Sequence, residues 1–160
     1  MIYEFCAENV TLLEKAMQAG ARRIELCDNL AVGGTTPSYG VTKAAVELAA
    51  NYDTTIMTMI RPRGGDFVYT DLEIAIMLED IRLTTQAGSQ GVVFGALTAD
   101  KKLDKANLEK LIAASKGMEI VFHMAFDELS DEEQLEAIDW LSQAGVTRIL
   151  TRAGVSGDSL

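Results

Sequence analysis

The stretch from Met57 to Phe67 holds the residues with the clearest chemical potential. It is an apolar run that ends in Arg61, a proline, Arg63 and a glycine pair, Gly64 and Gly65. Guanidinium groups bind carboxylates and phosphates through paired hydrogen bonds, and glycine lets the backbone turn or approach a ligand closely. The stretch predicts a site for a small anionic substrate. The alternative is that the two arginines pair with the chain's own surplus acids.

Acid and base groups are available for an enzyme acting on such an anion. His123 is the only histidine, and its imidazole could exchange protons with Asp127 or Glu8, with Glu25 as a further candidate. The catalytic candidates are therefore Glu8, Glu25, His123 and Asp127. The alternative is that an acid such as Glu25 satisfies His123, which then has no catalytic duty. A Gly-x-Ser-x-Gly nucleophile motif is absent.

Composition excludes several classes of partner. The 160 residues carry a formal net charge of −10, so the chain has no electrostatic reason to bind nucleic acid or an anionic membrane surface. The sequence contains no apolar run long enough to span a bilayer and no signal peptide pattern, which predicts a cytoplasmic protein. Its two cysteines, Cys6 and Cys27, are then expected to be thiols.

Apolar runs typical of strands alternate with amphipathic runs typical of helices. The predicted strands are Ile2 to Glu8, Arg23 to Asp28, Thr55 to Arg61, Gly91 to Leu97, Glu119 to Asp127 and Arg148 to Arg152. The predicted helices are Val10 to Ala19, Val41 to Asn51, Asp71 to Ala87, Lys105 to Lys116 and Asp131 to Ala144. This order predicts a parallel sheet in a single α/β domain that covers residues 1–160.

Polar residues inside the strands favour a (β/α) TIM-type barrel over an open sheet. Glu4, Cys6 and Glu8 share one face of the first strand, and Glu25 and Cys27 share one face of the second. A carboxylate buried under a helix layer would be costly, whereas a barrel interior opens to water at its mouth.

Functional residues of a barrel gather where its strands end, and this chain follows that pattern. Glycine-rich loops follow the second strand, at Gly33 and Gly34, and the third, at Gly64 and Gly65. We expect these four glycines to border the substrate site beside the arginines, although tight turns at the rim are the alternative. Neither loop has the pattern of a nucleotide-binding loop.

Segments along nearly the whole chain resemble one family. They are Glu25-Leu26-Cys27, the run from Gly33 to Gly40, the run from Met59 to Phe67, the run from Gly91 to Thr98, the run from Phe122 to Asp127, and Arg148 to Thr151. In this order they resemble the CutC family, called copper homeostasis proteins. The resemblance implies a TIM-type barrel, a cytosolic location and a role in copper tolerance or copper binding.

The chain departs from that family in two respects. Met124 stands where many relatives have an arginine. The chain also has about six βα units, whereas its relatives resemble complete barrels of eight. We therefore expect the chain to be truncated at its C-terminus. The alternative is that it ends at Leu160 and leaves the first and sixth strands with unpaired edges.

Copper chemistry points to the two cysteines. Cu(I) prefers thiolate and thioether ligands and accepts imidazole, so Cys6, Cys27 and His123 are the metal candidates. Neighbouring strands lie ~4.8 Å apart, so two inward thiols could meet one ion. Barrel stagger could instead place them at different depths, and cysteine commonly acts as a small core residue. A third interpretation is a homo-oligomeric scaffold.

Overall fold

A computed structural model describes residues 1–152 of the chain, and its sheet has six parallel strands in sequence order. The strands are β1 (Glu4–Glu8), β2 (Arg23–Cys27), β3 (Thr55–Met59), β4 (Gly91–Phe94), β5 (Glu119–Phe122) and β6 (Arg148–Ile149). The sheet curls into a half-barrel with helices around it, which confirms the predicted incomplete (β/α) barrel.

Five α-helices and two short 3-10 helices connect the strands. The α-helices are α1 (Leu13–Gln18), α2 (Tyr39–Ala49), α3 (Asp71–Ala87), α4 (Lys105–Ala114) and α5 (Asp131–Gln143), and the 3-10 helices are Leu30–Val32 and Met124–Glu128. Thr70 and Glu73 form a reciprocal capping box at the start of α3. Across residues 1–152, every helix is too short or too polar to traverse a bilayer.

Side chains of the sheet divide between two apolar layers. Alternate strand residues such as Ile24, Ile56 and Val92 pack outward under the helices. The opposite face holds a smaller inner cluster, which consists of Cys27, Met57, Met59, Val93 and Val121. The polar strand residues Cys6 and Glu25 belong to this inner face, because Cys6 pairs with Glu25 and Glu25 pairs with Met57 across the strands.

Five strands, β2 to β6, end earlier than the sequence predicts, and hydrogen bonds explain where β3 and β5 stop. β3 stops at Met59 because Arg61 bonds to the loop after β2, where its N–H donates to Thr36 Oγ1 (2.8 Å) and its carbonyl accepts from the Thr36 N–H (3.0 Å). β5 stops at Phe122 because His123 caps a 3-10 helix, with Nδ1 accepting from the Ala125 N–H at 3.1 Å.

The prediction that the fifth strand extends to Asp127 is therefore wrong. Asp127 lies in the 3-10 helix, where its carboxylate accepts from the Thr151 hydroxyl and, at 3.0 Å, from the Arg152 N–H. The strand's alternation does not extend to it.

Candidate functional site

Two thiols and a carboxylate form what we call the thiol cluster, Cys6, Glu25 and Cys27, on the inner face of β1 and β2. One ligand atom from each of the three lies within 4.8 Å of the other two. The Cys6 thiol donates to Glu25 Oε1 at 3.6 Å, and the Cys27 thiol donates to the same oxygen at 3.7 Å. Within residues 1–152 this is the one group of three or more such side chains close enough to share a metal ion.

Strand register explains how the cluster forms. Cys6 lies opposite Glu25, whereas Cys27 lies opposite Glu8, so the two cysteines differ in depth by two residues. Strand spacing and rise then separate their Cα atoms by about 8 Å, beyond the ~7 Å that a disulfide spans without backbone movement. The arrangement suits a shared ion better than a disulfide.

Burial and hydrogen bonding favour the protonated forms of Glu25 and Cys27. Glu25 is buried, and that burial, followed by the nearby charge of Glu4, raises the pKa of its carboxyl. The pKa of the Cys27 thiol is also raised, first by its hydrogen bond with the Cys6 thiol and then by burial. An incoming cation would therefore displace protons from these groups.

The thiol cluster is accessible from the inner face of the half-barrel. Cys6 is exposed while Cys27 is buried, and a cavity of about 510 Å³ opens onto Cys6 and Glu25. Its remaining lining residues are Glu4, Leu30, Gly33, Met124, Leu150, Thr151 and Arg152. Gly34 packs closely against the buried thiol of the cluster, since an added Cβ would lie 2.9 Å from Cys27 Sγ.

Arg61 is buried at the end of β3, and the two glycine loops hold it. Its Nη1 donates to the carbonyls of Val32 (2.7 Å) and Gly34 (3.0 Å), and its Nη2 donates to the carbonyl of Gly65 (2.8 Å). Gly33 also borders the guanidinium, since an added Cβ would lie 3.3 Å from Nη1. The loops thus present carbonyl oxygens, which orient the arginine but cannot themselves bind an anion.

His123 is fully buried at the end of β5. Burial, together with the positive charge of Arg61, lowers the pKa of its imidazole to about 3. The ring therefore stays neutral near pH 7. His123 lies outside the thiol cluster, so the structure does not bring the three predicted metal ligands together.

The remaining candidates do not converge with His123. Arg63 pairs with Glu73 and, at 3.1 Å, with Asp66, as in the alternative interpretation of the sequence. Gly64 packs on Val32 beside it. Glu8 accepts from the Leu30 N–H at 2.6 Å, which holds the loop after β2.

Two aromatic residues near Arg61 were missed by sequence reasoning. The Phe67 ring centre lies 5.0 Å from Arg61 Cζ and 4.9 Å from the His123 ring centre. Tyr69 is buried next to the same guanidinium. Both residues lie in an irregular loop, where spacing gives no orientation, so only the fold could place them here.

Comparison with curated proteins gives close relatives. The model of the CutC family matches residues 1–160. CutC from Enterococcus faecalis is 54% identical over 157 residues, which are 98% of this chain and 75% of that protein. CutC from Bacteroides thetaiotaomicron is 42% identical over 149 residues, which are 93% of this chain and 58% of that protein.

Comparison with solved structures gives the same family. CutC from Streptococcus agalactiae, described as a candidate copper homeostasis protein, is 47% identical with a TM-score of 0.95, covering 99% of this chain and 75% of that one. A candidate phosphonomutase from Burkholderia cenocepacia shares the fold alone. It is 18% identical with a TM-score of 0.69, and the match covers 94% of this chain and 64% of that one. The chain belongs to the CutC family.

Proposed function

We propose that this chain binds Cu(I) as cargo through Cys6 and Cys27 and so serves copper homeostasis in the cytoplasm. The observation that carries the proposal is the thiol cluster, whose ligand atoms lie within 4.8 Å of one another on an accessible inner face. The printed description of the Streptococcus agalactiae relative as a candidate copper homeostasis protein supports the choice of metal.

The donor set fits a soft cation. Thiolate and thioether ligands favour soft metal ions such as Cu(I), and Met59 places a thioether in the same inner cluster as Cys27. With metal–sulfur bonds of about 2.3 Å, two sulfur atoms bound to one ion lie at most roughly 4.6 Å apart. The sulfur atoms of Cys6 and Cys27 already lie within 4.8 Å of each other. In this arrangement the ion would reach the exposed Cys6 from solvent and would also bind the buried Cys27.

Competition for Cu(I) tests the proposal. The reduced protein is titrated under strictly anaerobic conditions against a coloured Cu(I) chelator at neutral pH. We expect one Cu(I) per chain, and we expect Cys6→Ser to weaken the affinity at least a hundredfold because one thiolate is lost. Cys6 is exposed, so this variant should fold as the wild type does.

A matched variant separates ligand loss from loss of structure. Thr55 is exposed at the start of β3 and belongs neither to the thiol cluster nor to the lining of its cavity, so Thr55→Ser should leave the copper affinity unchanged. Circular dichroism verifies the fold of both variants. If Cys6→Ser and a Cys6→Ser, Cys27→Ser double variant retain the wild-type copper stoichiometry and affinity, the thiol cluster is not the site.

A further inference from the structure

Arg61 is a buried cation without a counter-ion. Its side chain belongs to a residue only 3% exposed, and none of the ion pairs seen within residues 1–152 includes it. Its two Nη atoms meet only neutral carbonyl oxygens. Burying a charge without an opposite charge is strongly unfavourable, so this position calls for a negative group.

Three hydrogen-bonding atoms around this cation are buried without a partner among residues 1–152. They are Arg61 Nε, the Tyr69 hydroxyl and His123 Nε2. Because His123 Nδ1 accepts from the Ala125 N–H, the proton of the neutral ring sits on Nε2. All three atoms can thus donate, and native proteins rarely leave such groups unsatisfied.

These atoms belong to neighbouring side chains. The charge of Arg61 lowers the pKa of His123, and it opposes the burial that raises the pKa of Tyr69 to about 12. Arg61 is near enough to the Tyr69 hydroxyl to lower the pKa of Tyr69, yet the hydroxyl has no hydrogen-bond partner among residues 1–152. Phe67 contacts both Arg61 and His123 with its ring. We call Arg61, Tyr69 and His123 the donor site.

Phe67 forms the outer cover of the donor site. Its side chain is half-buried, and it lines an outer cavity of about 280 Å³ together with Lys101. The same ring contacts Arg61 and His123, so Phe67 borders both the outer cavity and the donor site. A cation–π contact is weaker than a charge-assisted hydrogen bond, so an anion could displace the ring from Arg61.

We infer that the donor site binds the carboxylate or phosphate group of a small molecule, with Phe67 as a movable cover. A water molecule could satisfy the three donors, but only an anion also balances the charge of Arg61. The donor site shares no residue with the thiol cluster, so this inference stands independently of copper binding.

Anion titration of the metal-free chain tests the inference. Inorganic phosphate and malonate are the probes, and sodium chloride at matched ionic strength controls for screening. Isothermal titration should show saturable binding of one of the two probes, and that probe should raise the unfolding temperature more than chloride does. The two probes distinguish a phosphate from a carboxylate preference.

Tyr69→Phe removes one donor and retains the ring. We expect it to weaken binding of the preferred probe about tenfold, as the loss of one hydrogen bond to a charged group does. Phe67→Ala removes the cover and should strengthen binding. Arg82→Gln is the matched surface control, since Arg82 is exposed and pairs with Glu79.

Each outcome bears on the inference. A tenfold loss in Tyr69→Phe with no loss in Arg82→Gln supports it. Equal affinities in wild type and Tyr69→Phe, equal losses in Tyr69→Phe and Arg82→Gln, or stabilisation by neither probe beyond chloride would overturn it.

Discussion

Glu25 contacts both thiols of the thiol cluster, so replacing it should distinguish Cu(I) binding from Zn²⁺ binding. Its buried carboxyl has a raised pKa and accepts hydrogen bonds from Cys6 and Cys27. Two thiolates suffice for Cu(I), whereas Zn²⁺ requires about four ligands and accepts carboxylate oxygen. The same residue is therefore dispensable for one metal and needed for the other.

We expect Glu25→Gln to change Cu(I) affinity by less than about threefold and to weaken Zn²⁺ binding more than about tenfold. The measurement is competition against a chelator for each metal, made on the wild type and the variant. An equal loss for both metals would mean that Glu25 ligates Cu(I) directly.

His123 gives the fold a pH dependence. Its pKa is about 3 in the folded chain and about 6.5 when exposed in the unfolded chain. Between these values the unfolded chain binds one more proton, so the free energy of unfolding falls as the pH falls, by about 1.4 kcal/mol per pH unit from this group. This contribution is complete above pH 6.5 and declines as the pH drops toward 3.

Urea denaturation at pH 7, 6 and 5 measures that slope. His123→Asn keeps an acceptor for the Ala125 N–H and removes the titration, so its stability should fall less steeply with pH than that of the wild type. Parallel slopes for the two proteins would contradict a neutral, buried His123.

At the scale of elements, close contacts between strands require glycine at particular positions. Gly91 begins β4, where an added Cβ would lie 2.6 Å from Met57 Sδ and 2.7 Å from the Glu119 carbonyl. Gly91→Ala should therefore lower the free energy of unfolding by about 1–3 kcal/mol, because the backbone of β5 cannot move away cheaply.

Gly40→Ala is the matched control for this prediction. Gly40 lies in the first turn of α2, its added Cβ would be 3.9 Å from Ser38 Oγ, and alanine favours a helix by up to about 1 kcal/mol. Chemical denaturation of both variants gives the comparison. If Gly91→Ala were as stable as Gly40→Ala, the close packing of β4 between β3 and β5 described above would be contradicted.

The order of the elements and the inner polar face could be predicted, because alternation along β1 and β2 is a local property. The ends of β3 and β5 could not be predicted, because sequence spacing shows neither that Arg61 bonds to the loop after β2 nor that His123 caps a 3-10 helix. The grouping of Cys6 with Glu25 and Cys27 depends on register between two strands, which the fold alone determines. For the same reason, the positions of Phe67 and Tyr69 next to Arg61 could not be predicted from the sequence.

At the scale of the whole molecule, the half-barrel formed by residues 1–152 has two edges. Within those residues β1 pairs only with β2, and β6 pairs only with β5. Tyr3 and Ile2 are exposed just before β1. Unpaired edges with apolar neighbours promote association between chains, whereas a net charge of −10 opposes it at low salt.

Sedimentation velocity should therefore show reversible self-association that increases with salt. Tyr3→Glu should reduce it, and Tyr39→Glu, at an exposed tyrosine of α2, should not. A monomer at every concentration and salt level would exclude the predicted homo-oligomer.

X-ray absorption of the Cu(I)-loaded protein tests the central claim most directly, because it reports the atoms bound to copper. We predict two sulfur neighbours in the wild type and one in Cys6→Ser. A wild-type spectrum with only nitrogen or oxygen neighbours would contradict copper binding by Cys6 and Cys27.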